Sequence, residues 1–292
     1  MTGTSFGALV EDAVQILIRT GTVIAPREDA EALAAHVFGP DAVGRPSDGE
    51  LDGRLAAEYR TLVDRRADGV PLGHLTGVAA LGGIEVTVGP GVFVPRAQSE
   101  AVLSTGLRAI ADLTGPLVVD LCTGSGAVAL AIAHHRPDAT VHAVECDPVA
   151  LDFARRNSAD RTALGDTAIV LHQADVTRPG MLSGLSGRAD LVLANPPFMP
   201  DDAEVPAEFG VHQPRQAVFG GPDGLHVIRH VADAAARLLG PGGRLVVEHG
   251  HLHAETVPVL LRADDRFEEV SGHLDQYGWP LYSMATRRRA HG

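Results

Sequence analysis

Leu117-Val118-Val119-Asp120-Leu121-Cys122-Thr123-Gly124-Ser125-Gly126 runs from an apolar segment straight into a turn of small residues, and Ala127 to His135 then read as a helix. A strand that feeds a helix through such a turn is the opening unit of a doubly wound α/β sheet, which binds ligands beyond the carboxyl ends of its strands. Gly124 and Gly126 carry no Cβ, so the backbone there can take unusual dihedrals and lie close against a ligand.

Working outward, the pattern alternates. Strands are predicted near 117–121, 140–145, 168–172, 190–194, 244–248, 267–271 and 281–286, with helices near 127–135, 148–158, 224–239 and 254–262. Seven strands separated mostly by helices predict a mainly parallel sheet covered on both faces. Before it, apolar residues return at helical spacing in three stripes: Ala8, Val10, Val14, Leu17 and Ile18; Ala30, Leu33, Val37 and Phe38; Leu51, Leu55, Tyr59, Leu62 and Val63. Between Pro71 and Pro95 many glycines punctuate short β-type runs such as 84–88, which fits a hairpin, and a helix over 98–113 leads into the sheet. The expected organisation is an N-terminal helical, substrate-recognising domain over 1–70, a β-hairpin linker over 71–97 and the sheet domain over 98–292.

A content of 45% hydrophobic and 21% charged residues over 292 positions is that of a globular chain with a packed core. Lys plus Arg total 24 and Asp plus Glu 37, giving 24 − 37 = −13. Such a balance repels polyphosphate and favours a protein or small-molecule substrate over nucleic acid. Cys122 and Cys146 make neither a disulfide framework nor a paired zinc spacing. Glu11 and Asp12 stand where a signal peptide needs positive charge, and no apolar run approaches the ~18 residues of a membrane span, so a cytoplasmic location and no membrane partner are expected.

Glu145 ends the second sheet strand, 19 residues beyond Gly126, where a carboxylate can accept both hydroxyl hydrogens of a ribose. A dinucleotide fingerprint would place a third small residue after Gly126-Ala127-Val128, where Ala129 stands, but no separate pyrophosphate clamp is visible. A sulfonium nucleoside without phosphate fits this looser loop. Asp175 is placed to accept an adenine amine, or equally to cap a turn.

Asn195-Pro196-Pro197-Phe198 follows the strand over 190–194. The Asn195 side-chain carbonyl and the Pro196 main-chain carbonyl, stiffened by two fixed φ angles, make a rigid pair of acceptors for the two hydrogens of a planar NH₂ group. That arrangement suits nitrogen methylation, with Phe198 as an aromatic wall over the planar group. His249, His251 and His253 are read as loop or capping residues with no metal, Cys122 and Cys146 as buried small hydrophobes, and Arg287 to Arg289 as a solvated tail.

Taken together these stretches resemble the S-adenosylmethionine-dependent protein-(glutamine-N5) methyltransferases that modify peptide release factors. The likeness covers the helical start, 71–77 (PLGHLTG), 89–96 (GPGVFVPR), the glycine loop, the NPPF segment, 219–225 (FGGPDGL) and 247–250 (VEHG). It implies a seven-stranded class I methyltransferase fold. It also implies S-adenosyl-L-methionine as cofactor and S-adenosyl-L-homocysteine as product, bound by the loop from Asp120 through Cys122, Thr123, Gly124, Ser125 and Gly126, by Glu145, by Asp175 and Val176, and by Asn195. Asn195 to Phe198 would hold a glutamine amide of a release factor or other protein.

Departures from the family pattern are Phe198 where tyrosine is usual, Pro95-Arg96-Ala97-Gln98-Ser99-Glu100 in place of a Pro-Arg-x-Glu-Thr-Glu stretch, Gln213 where an acid usually precedes the proline, and the segment 275–281. They keep open a second acceptor class, the amine or amide of a small metabolite. More distant readings are methylation of a nucleic-acid base and a non-catalytic cofactor-binding role.

Overall fold

The computed structural model describes residues 5–42 and 51–289. They form two compact units, one comprising the chain up to Val78 with Glu204–Gln213, the other Ala79–Ala203 with Pro214 onward.

The first unit is helical. Ser5 caps the helix Phe6–Thr20 by accepting the Ala8 N–H, and Gly21 ends it in the left-handed region at φ 66°. Helices Pro26–Phe38, Gly53–Ala67 and Leu72–Thr76 follow, and the returning segment adds the short helix Ala207–Gly210. The buried face of the first helix is Leu9, Val10, Ala13, Val14 and Leu17, so the stripe is rotated from the expected one and Ile18 is exposed. Tyr59 is fully buried and its hydroxyl donates to the Ala30 carbonyl at 3.0 Å, which joins the second and third helices. Arg66, on the third helix, pairs at 2.7 Å with Asp29 and at 3.1 Å with Glu208 of the returning segment 204–213.

The second unit opens with the hairpin β1 (Val78–Leu81) and β2 (Ile84–Thr87). This hairpin is not a free linker. Leu81, Ile84, Val86 and Val88 are buried in one core with Leu103, Leu130 and Ile132. Asn157, on the helix Pro148–Ala163, grips Thr87 by accepting its N–H at 2.8 Å and donating to its carbonyl at 3.0 Å. The alternation of Ile84 and Val86 with Glu85 and Thr87 gives β2 one apolar face, and that face is what the sheet unit covers.

Seven further strands, β3 (Leu117–Leu121), β4 (Thr140–Glu145), β5 (Val170–Gln173), β6 (Ala189–Ala194), β7 (Leu239–Glu248), β8 (Phe267–Leu274) and β9 (Pro280–Arg287), make one sheet in the order β5-β4-β3-β6-β7-β9-β8. Neighbours from β5 to β7 are parallel, and β9 is antiparallel to both β7 and β8. Val118, Val141, Ala143, Leu191, Leu193 and Val246 enter one core; Val119, Val144, Val192, Ala194, Leu245 and Val247 enter a second. A sheet buried on both faces needs these near-continuous apolar strands.

Of the run Arg287–Arg289, expected as a solvated tail, Arg288 and Arg289 are exposed and Arg287 is half-buried. Arg287 closes β9 and donates to the carbonyls of Ala236 and Arg266, and Arg288 donates to those of Asp265 and Phe267. Both guanidinium groups cap backbone acceptors next to the sheet. Among the described residues no helix is long and apolar enough to cross a membrane.

Candidate active site

Strand register brings the site together. Leu121 is aligned with Val144 on one side and Ala194 on the other, and Ala194 with Val247. Cys122, Glu145, Asn195 and Glu248 are each the next residue, so four strands deliver them to one level at their carboxyl ends. The strand order reverses at β3, where successive connections diverge and leave a crevice.

The loop after β3 is shaped by left-handed backbone at Cys122 (φ 60°), Gly124 (φ 58°) and Gly126 (φ 84°). A side chain at φ near +60° is strained by about 1 kcal/mol, so Cys122 is held there by its surroundings. They include the Thr123 N–H donating to the Val144 carbonyl at 3.0 Å, the Gly126 N–H donating to the Thr123 carbonyl at 2.9 Å, and the Thr123 hydroxyl donating to Asp120 at 2.5 Å. Asn157 donates to the Ser125 carbonyl at 2.9 Å. Burial pushes the Asp120 carboxyl up to about 7 against the Thr123 hydrogen bond, and it keeps the Cys122 thiol protonated. Cys146, expected to be buried, is exposed.

Glu145 is buried, and both its oxygens hold backbone. Oε2 accepts the Gly124 N–H at 2.8 Å; Oε1 accepts those of Cys146 at 2.8 Å and Asp147 at 2.9 Å. A carboxylate has about four acceptor positions, so about one remains. In this geometry Glu145 can take one ribose hydroxyl rather than the two expected, and a second would compete with the Gly124 N–H.

These groups line a cavity of ≈ 280 Å³ together with Val176, Asn195 and Pro197. Its wall carries Asp120, Glu145, Asp147 and Asp175 and, among the described residues, no Arg, Lys or His. A pyrophosphate would meet only acids there, whereas a cationic sulfonium nucleoside meets opposite charge; the ideal Cβ position of Gly124 has no atom within 4 Å. The residues therefore fit S-adenosylmethionine. Asp175 serves a turn through Oδ1, which accepts the N–H of Thr177 at 2.8 Å and its hydroxyl at 2.7 Å. Burial would raise the Asp175 pKa, but these two bonds and the Arg178 charge bring it below the ordinary value.

Asn195 and Pro197 face the cavity, while Pro196 and Phe198 are not in its wall. Among the described residues no group hydrogen-bonds to the Asn195 carboxamide or donates to the Pro196 carbonyl. Of the next two carbonyls, that of Pro197 packs against Gly220 and that of Phe198 accepts the His253 Nε2–H at 2.8 Å. The Phe198 ring lies over Gly250, whose ideal Cβ would come within 3.0 Å of it. Phe198 thus anchors the segment to the turn 249–253, and the aromatic residues in the cavity wall are Phe93 and Phe219, the latter brought there by the bridge pairing Met199 with Phe219. Only a glycine fits at 250, because a Cβ would displace the ring.

The histidines are structural. His249 donates from Nδ1 to the Gly250 carbonyl at 2.7 Å, which leaves Nε2 to accept the Ser283 hydroxyl at 2.8 Å, and burial lowers its pKa so that it stays neutral. Glu248, also buried, accepts the Ser99 hydroxyl at 2.9 Å; burial raises its pKa to about 7, offset in part by that bond and by the Arg96 charge. Gln216 and Phe219 also line the wall, and nothing in their local sequence pattern marks them. Gln216 donates to Asp147, which also caps the helix Pro148–Ala163, so the short helix Arg215–Val218 is tied across to the cofactor side.

Residues 8–77 match the family described as PrmC N-terminal domain, and residues 84–210 that described as Methyltransferase small domain. In fold, the sheet unit is similar to the 16S rRNA N2 G1207 methyltransferase of T. thermophilus, solved with AdoMet and guanosine, at TM-score 0.53 and 21% identity over 72% of this chain and 50% of that one. The sheet order, the glycine loop at the reversal point and the acidic cavity define a class I S-adenosylmethionine-dependent methyltransferase. The chain is 41% identical over 284 residues to the release factor glutamine methyltransferase of Mycolicibacterium smegmatis, spanning 97% of this chain and 98% of that protein. It is 40% identical over 288 residues to that of Streptomyces coelicolor, spanning 96% and 97%. The chain belongs to the release factor glutamine methyltransferase family.

Proposed function

We propose that this enzyme methylates the side-chain amide nitrogen of a glutamine in a peptide release factor. The observation that carries the reading is the pair of unengaged acceptors, Asn195 Oδ1 and the Pro196 carbonyl, at the level where the cofactor loop and Glu145 end their strands. The names of relatives matching nearly the whole chain supply the protein class.

S-adenosylmethionine, when bound, supplies a methyl group made electrophilic by the adjoining sulfonium charge. Glycines 124 and 126, Glu145, Asp175 and Val176 are the residues that would hold it. A carboxamide nitrogen is a poor nucleophile because its lone pair is shared with the carbonyl. With one N–H accepted by Asn195 and the other by Pro196, the nitrogen is oriented with its lone pair along the line of displacement, and the rigid proline pair avoids reorganisation during the step. The positive charge that develops on nitrogen, as the N–C bond forms and the S–C bond breaks with its electron pair left on sulfur, is stabilised by the same two oxygens until one N–H proton is released to water. The helical unit is proposed to read the protein around the glutamine.

The test is transfer of labelled methyl from S-adenosylmethionine by the purified chain to an intact bacterial release factor, with the modified atom mapped by mass spectrometry, beside a parallel reaction on a small-metabolite extract. N5-methylglutamine at one site of the factor is the expected product. Label appearing only in metabolites would replace the protein acceptor by a small one.

A further inference from the structure

The chain contains a single tryptophan, Trp279, and it is 64% exposed. It stands on the turn between β8 and β9 with Tyr277, 69% exposed, and just after Leu274, 56% exposed; the adjoining turn 251–253 adds Leu252 at 47%. The His251 and Trp279 rings are 6.2 Å apart, so the two turns touch. Apolar side chains scattered singly over a surface need no explanation, but four of this size on adjoining turns mark a place where another molecule is met, and Trp and Tyr are the residues most enriched there.

This turn is rigid. Asp275 Oδ1 accepts the N–H groups of Tyr277 at 2.8 Å and Trp279 at 2.9 Å, and the Asp275 N–H donates to the Trp279 carbonyl at 2.8 Å. Gly278 supplies the left-handed residue at φ 84°. Aromatics held ready in this way lose little freedom when a partner covers them.

Its position follows from the strand register. β9 runs antiparallel to β7 with Tyr282 opposite Glu248, so the residues before β9 project from the edge where the parallel strands end and the methyl-transfer site lies. The N–H groups of His249 and Gly250 both donate to the Leu281 carbonyl, at 2.8 and 2.9 Å. Gly250 underlies the Phe198 ring, and His253 holds the Phe198 carbonyl. One turn therefore joins the Trp279 platform to the Asn195-Pro196-Pro197-Phe198 segment. A cavity of ≈ 280 Å³ is far too small to take in a folded protein. A folded acceptor has to be recognised at the rim.

We propose that Tyr277 and Trp279 form a docking platform for an apolar surface of the protein that carries the acceptor glutamine, beside the modified side chain. The assignment rests on the reading that the acceptor is a protein glutamine. It gives the segment 275–281, where this chain departs from its family's pattern, the task of selecting the partner.

Because Trp279 is the chain's own sole fluorophore of its kind, its emission reports directly on the platform. Full-length enzyme is titrated with a bacterial release factor whose tryptophans are replaced by phenylalanine. Emission is expected to move to shorter wavelength as the factor binds. Trp279→Ala and Tyr277→Ala are each expected to raise KM for the intact factor about tenfold, with kcat and cofactor Kd unchanged and with KM unaltered for a glutamine peptide too short to reach the turn. Unmoved emission and unchanged KM, with the factor methylated normally, would overturn the platform alone. No methylation of the factor by the parent enzyme would overturn the acceptor reading and the platform with it.

Discussion

The loops after β3 and β6 leave adjacent strands at the same level, yet they are held in opposite ways. Residues 122–126 are fixed by β3 itself, by the adjoining strand β4 and by the helix that follows it: Thr123 bonds to Asp120, Gly126 to Thr123, Glu145 accepts the Gly124 N–H, and Asn157 donates to the Ser125 carbonyl. Residues 195–199 are fixed by segments far along the chain, with Gly220 and Gly224 against the carbonyls of Pro197 and Phe198, Gly250 under the Phe198 ring and His253 on its carbonyl. The cofactor loop is tied within the β3, β4 and following-helix unit; the acceptor segment is a junction with turns from later in the chain. A junction gives the enzyme more places at which to tune an acceptor than a cofactor loop requires.

The sharpest way to break this contrast is Gly224→Ala. A Cβ at φ 71° would strike the Phe198 carbonyl and approach His253 Nε2 to 2.8 Å. Methyl transfer is expected to fall by about a hundredfold, the penalty of misplacing a reacting group by an ångström. Cofactor Kd, measured by titration calorimetry, should stay within about threefold. A matching loss of cofactor affinity would show that the two loops are not independent.

The complementary probe is Glu145→Gln. It puts an NH₂ group against either the Gly124 N–H or the pair from Cys146 and Asp147. Losing charged hydrogen bonds of about 1.5–3 kcal/mol weakens cofactor binding roughly 10- to 100-fold. At saturating cofactor, kcat should change by less than about threefold.

A smaller effect separates the acids beneath the two loops. The folded pKa of Glu248 is raised to about 7 from an ordinary 4.5, so the folded state binds its proton more tightly than the unfolded chain. The associated stability is complete below pH 4.5 and is lost as pH rises through about 7. Glu248→Gln keeps an oxygen for the Ser99 hydroxyl and removes the charge. It is expected to raise Tm at pH 8 and to leave it unchanged at pH 4, as read by thermal scans at both values. An equal shift at both would remove the linkage.

The same contrast governs what a reader of the sequence can see. β3, β4 and the helix Ala127–His135 fall at their expected bounds because apolar period and glycine punctuation are local signals. That Glu145 ends a strand is legible because a strand end is local too. Its three backbone partners are not, since Gly124, Cys146 and Asp147 converge on it only through strand pairing and turn geometry. The short helix Arg215–Val218 is one turn long and has no period to detect, so nothing local marks Gln216 and Phe219. β7 starts at Leu239 rather than 244 because Gly240-Pro241-Gly242-Gly243, which reads as a turn, bulges out within the strand: Leu239 pairs with Ala189 and Arg244 with Leu191, with Gly242 at φ 85° between them. Phe198 was assigned to the wall on chain position alone, and the absence of a Cβ at Gly250, 52 residues away, decides where its ring goes.

The most direct measurement is single-turnover methyl transfer by Asn195→Ala to a release factor, beside a cofactor titration of the same variant. Transfer is expected to fall by at least about a thousandfold while cofactor Kd stays within about tenfold, because the lost oxygen acts on the transition state. Transfer at the parent rate would contradict the pairing of Asn195 and Pro196 as the acceptors that orient the amide.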